Sequence, residues 1–472
     1  MRHRLGVGGQ LAMLSFFAVF VLWYLDALSA RPGPIHSIFP ASAPSQQASV
    51  ETPGNGSTKV EGSNPESVSG EDFGALAAAP KTLDNVDEIV RAIFDPADAT
   101  LERLECPVPP PAVLARYETL QSSTKTRRNT PLQIFKYYLA LDLTQTVDLL
   151  PRLVGSVVEA IRFLGPQDCV LSIVGGNSDD GTTLVLDAIR PELDALGIAR
   201  YFFETSSVDP RDGDDQQVAS SVMMRNLVLK PMLDNRRFYS EDTTVIFLNE
   251  VAICMEDILE LAYQRRHLGA DMTCAMDWNS AGRDPIYNDV WGSRTLTGES
   301  FSRNLEDKSW DEAWNLFWND HETKSRYSSH LPFQVFSCWS GAVTLKADPI
   351  LYGDMIFRNN NQRECSQGGP ALFCKELWYK GWGKISVVPS VSLEHSDDAG
   401  RALKARRGYT SAWVGPEQDK KSKIEWQRMP PQQVKCMEGM GTPEWRPWDG
   451  SVAGSPPWSR KARSSKQKHQ RC

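Results

Sequence analysis

Several short stretches of this chain carry residues whose types and order suit chemistry. The most specific is 247–251, where a strand-like apolar run ends in Asn249 and Glu250. A carboxylate at a strand terminus facing a cleft is a hard oxygen ligand for a divalent cation that bridges neighbouring phosphates. Such a cation also stabilises a departing diphosphate as a Lewis acid. Glu250 suits that work with Asn249 as a neutral helper, although the pair could equally begin the next helix. The second stretch is the loop 175–181, with Gly175, Asn177, Asp179 and Asp180. Small residues let backbone amides approach a nucleotide, and an acid there accepts hydrogen bonds from a base or ribose. The loop matches neither dinucleotide nor P-loop glycine spacing. On its own it reads first as a strand-to-helix turn with Asp180 or Thr182 as N-cap. The third group holds Asp277, Trp278, Asp289, Trp291 and Arg294, followed by the aromatic segment 332–341 with Trp339. Rings beside carboxylates recognise sugars, the rings stacking on apolar faces and the acids accepting hydroxyl protons; Arg294 could hold a phosphate. Taken singly, each ring reads as core.

These residues need elements to position them. Residues 134–143 read as a buried strand. Leu150, Leu153, Val154, Val157, Ile161 and Leu164 then recur at helical steps, with Gly165 as the stop. A second strand, 169–174, leads into the glycine loop. The helix after it carries Val185, Ile189, Leu193 and Leu196 and is kinked or broken by Pro191. Residues 200–204, 244–248 and 270–276 read as three more strands, with a helix facing inward through Met255, Ile258, Leu259 and Ala262. This alternation predicts an α/β fold with a mostly parallel central sheet flanked by helices. Ligands then collect outside the carboxyl ends of the strands, near Gly175 and Asn249.

Residues 5–25 carry no charge, Arg2 and Arg4 precede them, and Asp26 follows. About 20 apolar residues cross a bilayer as a helix, so the pattern predicts a signal anchor at 5–25 with a cytosolic tail of residues 1–4. A signal peptide cleaved near Ser29 is the other reading. Either way the body enters the secretory pathway. Residues 26–105, rich in Pro, Ser, Ala and Gly in their early part, read as a stem. The stem carries a glycosylation sequon at Asn55, and a weak helix begins near Leu83. The catalytic body is expected at 106–415, and 416–472 as a polar, basic tail. Nine cysteines leave an odd one in an oxidising lumen; Cys365 and Cys374 are a plausible local pair, and Cys169 a small core residue. The net charge of −8 argues against a nucleic-acid partner.

Taken in order, 247–277, 289–294 and 332–341 resemble the fungal cryptococcal-type α-1,3-mannosyltransferase family, which includes capsule-associated proteins. The resemblance runs from about 106 to 396 and takes in the strand 385–391 and the Arg225–Asn226 pair. It implies a GT-A type nucleotide-sugar transferase fold, GDP-mannose as donor, a mannan or other mannose-containing glycan as acceptor, and retention of configuration. It also implies Mn2+ or Mg2+ and residence in the Golgi membrane as a single-pass type II protein with a lumenal catalytic domain. On this basis Glu250 and His395 are expected at the metal. Gly175, Asn177, Asp179, Asp180, Arg225, Asn226, Asn249 and Arg294 are expected at the nucleotide sugar, and Asp277, Trp278, Trp291 and Trp339 at the acceptor. Asp289 and Glu364 are the carboxylates expected near the reacting centre. The chain departs from the family pattern where Glu250 replaces Asp, Ser340 replaces Asn and His395 replaces Tyr, and where Gly175 supplies no acid. A lone histidine near a strand end is also commonly structural. The rival readings are a transferase of another nucleotide sugar and a non-catalytic Golgi glycan-binding or scaffold protein on a degenerate GT-A fold.

Overall fold

The structure is a computed structural model that describes residues 83–121, 134–208, 214–280, 284–303, 312–361, 364–365, 368–437 and 443–450. The expected anchor at 5–25, Asn55, most of the stem and the basic end beyond residue 450 lie outside them. No helix among the described residues is long and apolar enough to cross a membrane.

The first half runs α1 (Val86–Phe94), α2 (Pro111–Tyr117), β1 (Tyr137–Leu143), α3 (Leu150–Leu164), β2 (Cys169–Gly175), α4 (Thr182–Ala188), α5 (Arg190–Leu196), β3 (Arg200–Thr205), α6 (Asp214–Asp234) and β4 (Thr244–Leu248). There follow α7 (Met255–His267), β5 (Met272–Asn279), β6 (Ile286–Tyr287), α8 (His321–Ser328), β7 (Phe333–Gln334), β8 (Ala342–Lys346), α9 (Asp348–Tyr352) and α10 (Gly368–Lys380). The chain continues through β9 (Ile385–Leu393), α11 (Asp397–Arg407), α12 (Pro416–Ser422) and the hairpin β10 (Gln433–Cys436) and β11 (Glu444–Pro447). Pro191 sits in the first turn of α5, where its missing N–H is harmless, so the expected kink is a break between two short helices.

The sheet order is β3-β2-β1-β4-β8-β5-β9-β7, with β6 on β5. The β1–β2, β2–β3, β1–β4 and β5–β9 pairs are parallel. The β4–β8, β5–β8, β5–β6 and β7–β9 pairs are antiparallel. The expected mostly parallel sheet is therefore corrected to a mixed one. Strand β8, five residues directly behind the aromatic segment, inserts between β4 and β5 and reverses the local direction. On one face α3 buries Leu150, Leu153, Val157 and Ile161; on the other, α6 contributes Val228 and Met232 to an aromatic core.

Both flanks of the expected body are folded. Helix α1 buries Ile89, Ala92 and Ile93 within the stretch read as stem. In the stretch read as tail, Asp419 pairs with Arg116 at 2.6 Å, and Trp448 packs edge-on against Phe336. Three disulfides join Cys106–Cys254, Cys274–Cys338 and Cys365–Cys436. The anticipated Cys365–Cys374 pair does not form, because Cys374 faces inward from α10 against Met272 while Cys365 faces the hairpin. Cys169 is a free, buried core residue, as its place in a strand suggested.

Candidate active site

Strands β2 and β3 lie to one side of β1, and β4 lies to the other. The switch in strand order therefore falls between β1 and β4, the place where an open α/β sheet leaves a crevice at its carboxyl edge. Asp142 near the end of β1 and Thr144 just beyond it stand at that edge, as do Asn249 and Glu250 directly after β4. Four consecutive amides of the loop after β1 are taken up by side chains. Thr144 N donates to Glu250 Oε1 at 2.5 Å, Gln145 N to Ser178 Oγ, Thr146 N to Thr182 Oγ1 and Val147 N to Asp180 Oδ2. Gly176 is required where this loop meets the 175–181 loop, since a Cβ there would stand 2.3 Å from Thr144 Oγ1. The two loops form one rigid ledge beside Glu250.

A hydrogen-bonded chain leads inward from Glu250's neighbour. Asn249 Nδ2 donates to Asp142 Oδ1 at 2.6 Å, and Trp339 Nε1 donates to Asn249 Oδ1 at 2.6 Å. Trp339 N donates to Asp289 Oδ2 at 3.0 Å, and Ser293 Oγ donates to the same oxygen at 2.7 Å. Arg225 on α6 places its Nε 3.6 Å from Asp142 Oδ2, with its guanidinium near the Trp339 and Phe357 rings. Burial raises the Asp142 carboxyl to about 7, with Arg225 pulling it down and Glu250 pushing it up. Burial also weakens Arg225, and it lifts Asp289 to about 6, helped by the Asp277 charge. Two poorly solvated acids and a guanidinium that lies near an indole offer polar atoms to sugar hydroxyls.

Other expected site residues have different work. Asp180 accepts from Val147 N, Thr182 N and Thr182 Oγ1, so it builds the ledge. Asp179 accepts from Gln145 Nε2, the amide of Asn177 donates to Val208 O, and Gly175 O accepts from Ser206 N. Asn226 is clamped at both ends of its side-chain amide by the backbone of Phe357, which corrects its assignment to the nucleotide sugar. Arg294 is fully buried and donates to the carbonyls of Lys435, Val290 and Ser293, so it braces a loop instead of holding a phosphate. Trp278 is buried under the Arg407 guanidinium and belongs to the core, whereas Trp291 is 39% exposed on the loop beside Asp289. Glu364 is buried between Arg358 and Lys375. Burial alone would raise its carboxyl, but these partners hold it at about 2 and engage both its oxygens.

Glu250 and His395 both line a cleft of about 440 Å³ with Gln145, Thr146, Asp397 and Asp398. The His395 ring is engaged at both nitrogens: Nδ1 at Glu250 O, and Nε2 3.0 Å from Asn288 Nδ2 and 3.3 Å from Asp277 Oδ2. The Asp277 hydrogen bond raises the imidazole's pKa against the effect of burial. A nitrogen of this ring would have to give up one of these partners before binding a metal ion. Among the described residues no group of three or more His, Cys, Asp or Glu gathers to hold a metal. One or two carboxylates completed by substrate phosphates is nevertheless the ordinary Mg2+ arrangement. Glu250 with Asp142 behind it fits that set, and the upward push of Glu250 on Asp142 is the crowding a cation would relieve.

The sequence reading missed Asp142 and the Thr144–Thr146 contribution. The signal was available, since Asp142 is a lone acid ending an apolar strand, as Glu250 nearly is.

A family model described as cryptococcal mannosyltransferase 1 matches residues 136–376. The α-1,3-mannosyltransferase CMT1 of Cryptococcus neoformans is 31% identical over 333 residues, covering 67% of this chain and 71% of that protein. Among solved structures, S. aureus TarS 1–349 with UDP overlaps 55% of this chain and 60% of its own at 13% identity and a TM-score of 0.33. The mannosyltransferase PcManGT of Pyrobaculum calidifontis, solved with GDP-Man and Mn2+, overlaps 66% and 75% at 10% identity and a TM-score of 0.33. The chain thus spans about three-fifths of the TarS fragment, and both structural overlaps are loose.

Proposed function

This chain belongs to the cryptococcal mannosyltransferase 1 family, and on that premise we propose that it moves mannose from GDP-mannose to a mannose-containing glycan, forming an α-1,3 linkage with retention. Its class as a mannosyltransferase comes with the family. The observation that carries the finer reading is the continuous Asp142–Asn249–Trp339–Asp289 hydrogen-bonded chain beside Glu250 at the switch point. In the transfer, the acceptor hydroxyl oxygen bonds to the mannose anomeric carbon as the bond from that carbon to phosphate breaks. The hydroxyl proton passes to the departing phosphate oxygen, so no protein nucleophile is required.

Asp142 and Asp289 accept hydrogen bonds from sugar hydroxyls, and Arg225 donates to the donor's oxygens from the depth of the pocket. Trp291 offers its exposed face to the acceptor. Glu250 would hold a divalent cation, Mn2+ or Mg2+, which when bound supplies charge neutralisation to the leaving diphosphate. A GT-A type architecture and a Golgi membrane setting with the catalytic body in the lumen complete the proposal. Three disulfides in the described residues support an oxidising compartment.

The test incubates the full chain in detergent with manganese, α-mannobiose and either GDP-mannose, GDP-fucose or a UDP-sugar. Mannotriose formed from GDP-mannose supports the reading. Faster transfer from another donor overturns the donor, and no transfer from any donor favours the scaffold reading.

A further inference from the structure

Strand β7 lies at the edge of the sheet beyond β9, far in strand order from β1. Gln334 of β7 pairs with Ser386 near the amino end of β9, and its side-chain amide donates to the carbonyls of Gly383 and Gln427. A cavity of about 300 Å³ opens there, with Thr297, Asn319, Glu322, Phe333, Glu425 and Gln427 among its lining. None of its lining residues borders the cleft at Glu250.

Exposed indoles neighbour its lining residues along the chain, although none belongs to the lining itself. Trp318 precedes the lining residue Asn319, is 36% exposed, and has the Arg303 guanidinium over its ring at 5.2 Å. Trp314, in the same segment, is 70% exposed. Trp445 on β11 is 48% exposed and packs on Gly298, the residue after the lining Thr297. A protein partner would favour an apolar patch core depleted of charge, but this lining is rich in carboxylates and amides. The same carboxylates oppose a nucleic-acid backbone. A sugar chain suits such a lining, since its hydroxyls bond to amides and acids, and where it runs beyond the cavity its apolar ring faces can stack on neighbouring exposed indoles.

We propose that this cavity binds a stretch of mannose polymer away from the bond being made. The inference rests on the reading that the acceptor is a mannose-containing glycan. Holding a long acceptor at a second point raises the effective concentration of its end at the cleft.

The test runs the full chain in detergent, without donor, through native gels containing soluble α-mannan. Wild type is expected to be retarded. Trp318→Ala combined with Asn319→Ala, and separately Thr297→Arg, which fills the cavity, should weaken the apparent affinity about tenfold. Turnover of α-mannobiose by the same variants should stay within about twofold of wild type. Equal retardation of wild type and Thr297→Arg, or no retardation of wild type, overturns the proposal. If the double variant does not fold, Thr297→Arg decides the matter. Because the gels contain no donor, failure of mannose transfer would count against the preceding reading and leave this one to the gels.

Discussion

Glu250 does two jobs that different substitutions separate. Its Oε1 accepts from Thr144 N at 2.5 Å and from Thr146 Oγ1 at 3.2 Å, which fixes the ledge. Its charge faces the cleft. Glu250→Gln keeps an oxygen for Thr144 but removes the charge. Glu250→Asp keeps the charge but withdraws the oxygen by about 1.5 Å, to a separation of about 4 Å that no hydrogen bond spans. A hydrogen bond to a charged group contributes about 1.5–3 kcal/mol. Glu250→Asp should therefore lower Tm by a few degrees, at roughly 2–4 °C per kcal/mol for domains of about 200 residues. Glu250→Gln, which keeps a neutral hydrogen bond, should lower Tm less. A unit charge about 4 Å from another contributes roughly 4 kcal/mol at an effective dielectric of about 20, and a divalent cation doubles that. Its loss should lower kcat by at least about a thousandfold, while Glu250→Asp loses less. Initial rates of mannose transfer over a manganese titration, with Tm by calorimetry, read both effects. Equal Tm and equal rates for the two variants would refute the division of labour, and full activity in Glu250→Gln would remove the metal assignment.

Asn249→Asp sets a carboxylate oxygen where Nδ2 now donates to Asp142 at 2.6 Å. It should lower kcat/KM ten- to a hundredfold (about 1.5–3 kcal/mol), with partial rescue by Asp142→Asn in a double-mutant cycle; additive effects would break the proposed link. Glu364 has a folded pKa near 2, below the unfolded value of about 4.3. Its stabilisation is fully present above about pH 5 and is lost as pH falls through that interval. Glu364→Gln should cost about 3 kcal/mol at neutral pH, a deficit in urea midpoints that closes towards pH 2, with turnover per folded molecule unaltered; a deficit constant with pH speaks against the pairing. Replacing both Cys365 and Cys436 with Ser opens a link between residues 71 apart. The loop-entropy relation gives about 4 kcal/mol of lost stability, and an unchanged guanidinium midpoint counts against it.

Strands β1, β2, β4, β5 and β9 were legible because each is an apolar run that needs no knowledge of its neighbours. Their order was not, since Leu141 on β1 meets Leu248 on β4 across a separation that periodicity cannot encode. That gap explains why Glu250 was noticed and Asp142 was not. Glu250 drew attention by its motif, while Asp142 gains meaning only once β1 lies beside β4. Trp278 and Trp291 show the converse. Both looked like sugar platforms in sequence, yet β5 turns Trp278 into the core under Arg407, and a loop leaves Trp291 in the open. Arg294 misled for a related reason, because its guanidinium is fully buried, with Nε and Nη1 donating to carbonyls and Nη2 left unpartnered.

The late strand β8 explains why the aromatic segment belongs to the site at all. Ser340 and Gly341 both adopt left-handed backbone, with φ of 55° and 72°, and a Cβ on Gly341 would stand 2.6 Å from Val251 Cγ1. The turn therefore passes hard against the residue after Glu250, and Gly341 O accepts from Asn249 N at 2.8 Å. Asparagine tolerates that conformation better than most residues. Here Ser340 is held instead by its hydroxyl against Tyr287 OH at 2.6 Å. Entry into β8 and the end of β4 are thus tied by a backbone bond, beside which Trp339 Nε1 meets Asn249 Oδ1. The acid that faces the cleft and the indole that closes the pocket behind it are positioned by a single backbone constraint, and a Gly341→Ala change should disturb both together.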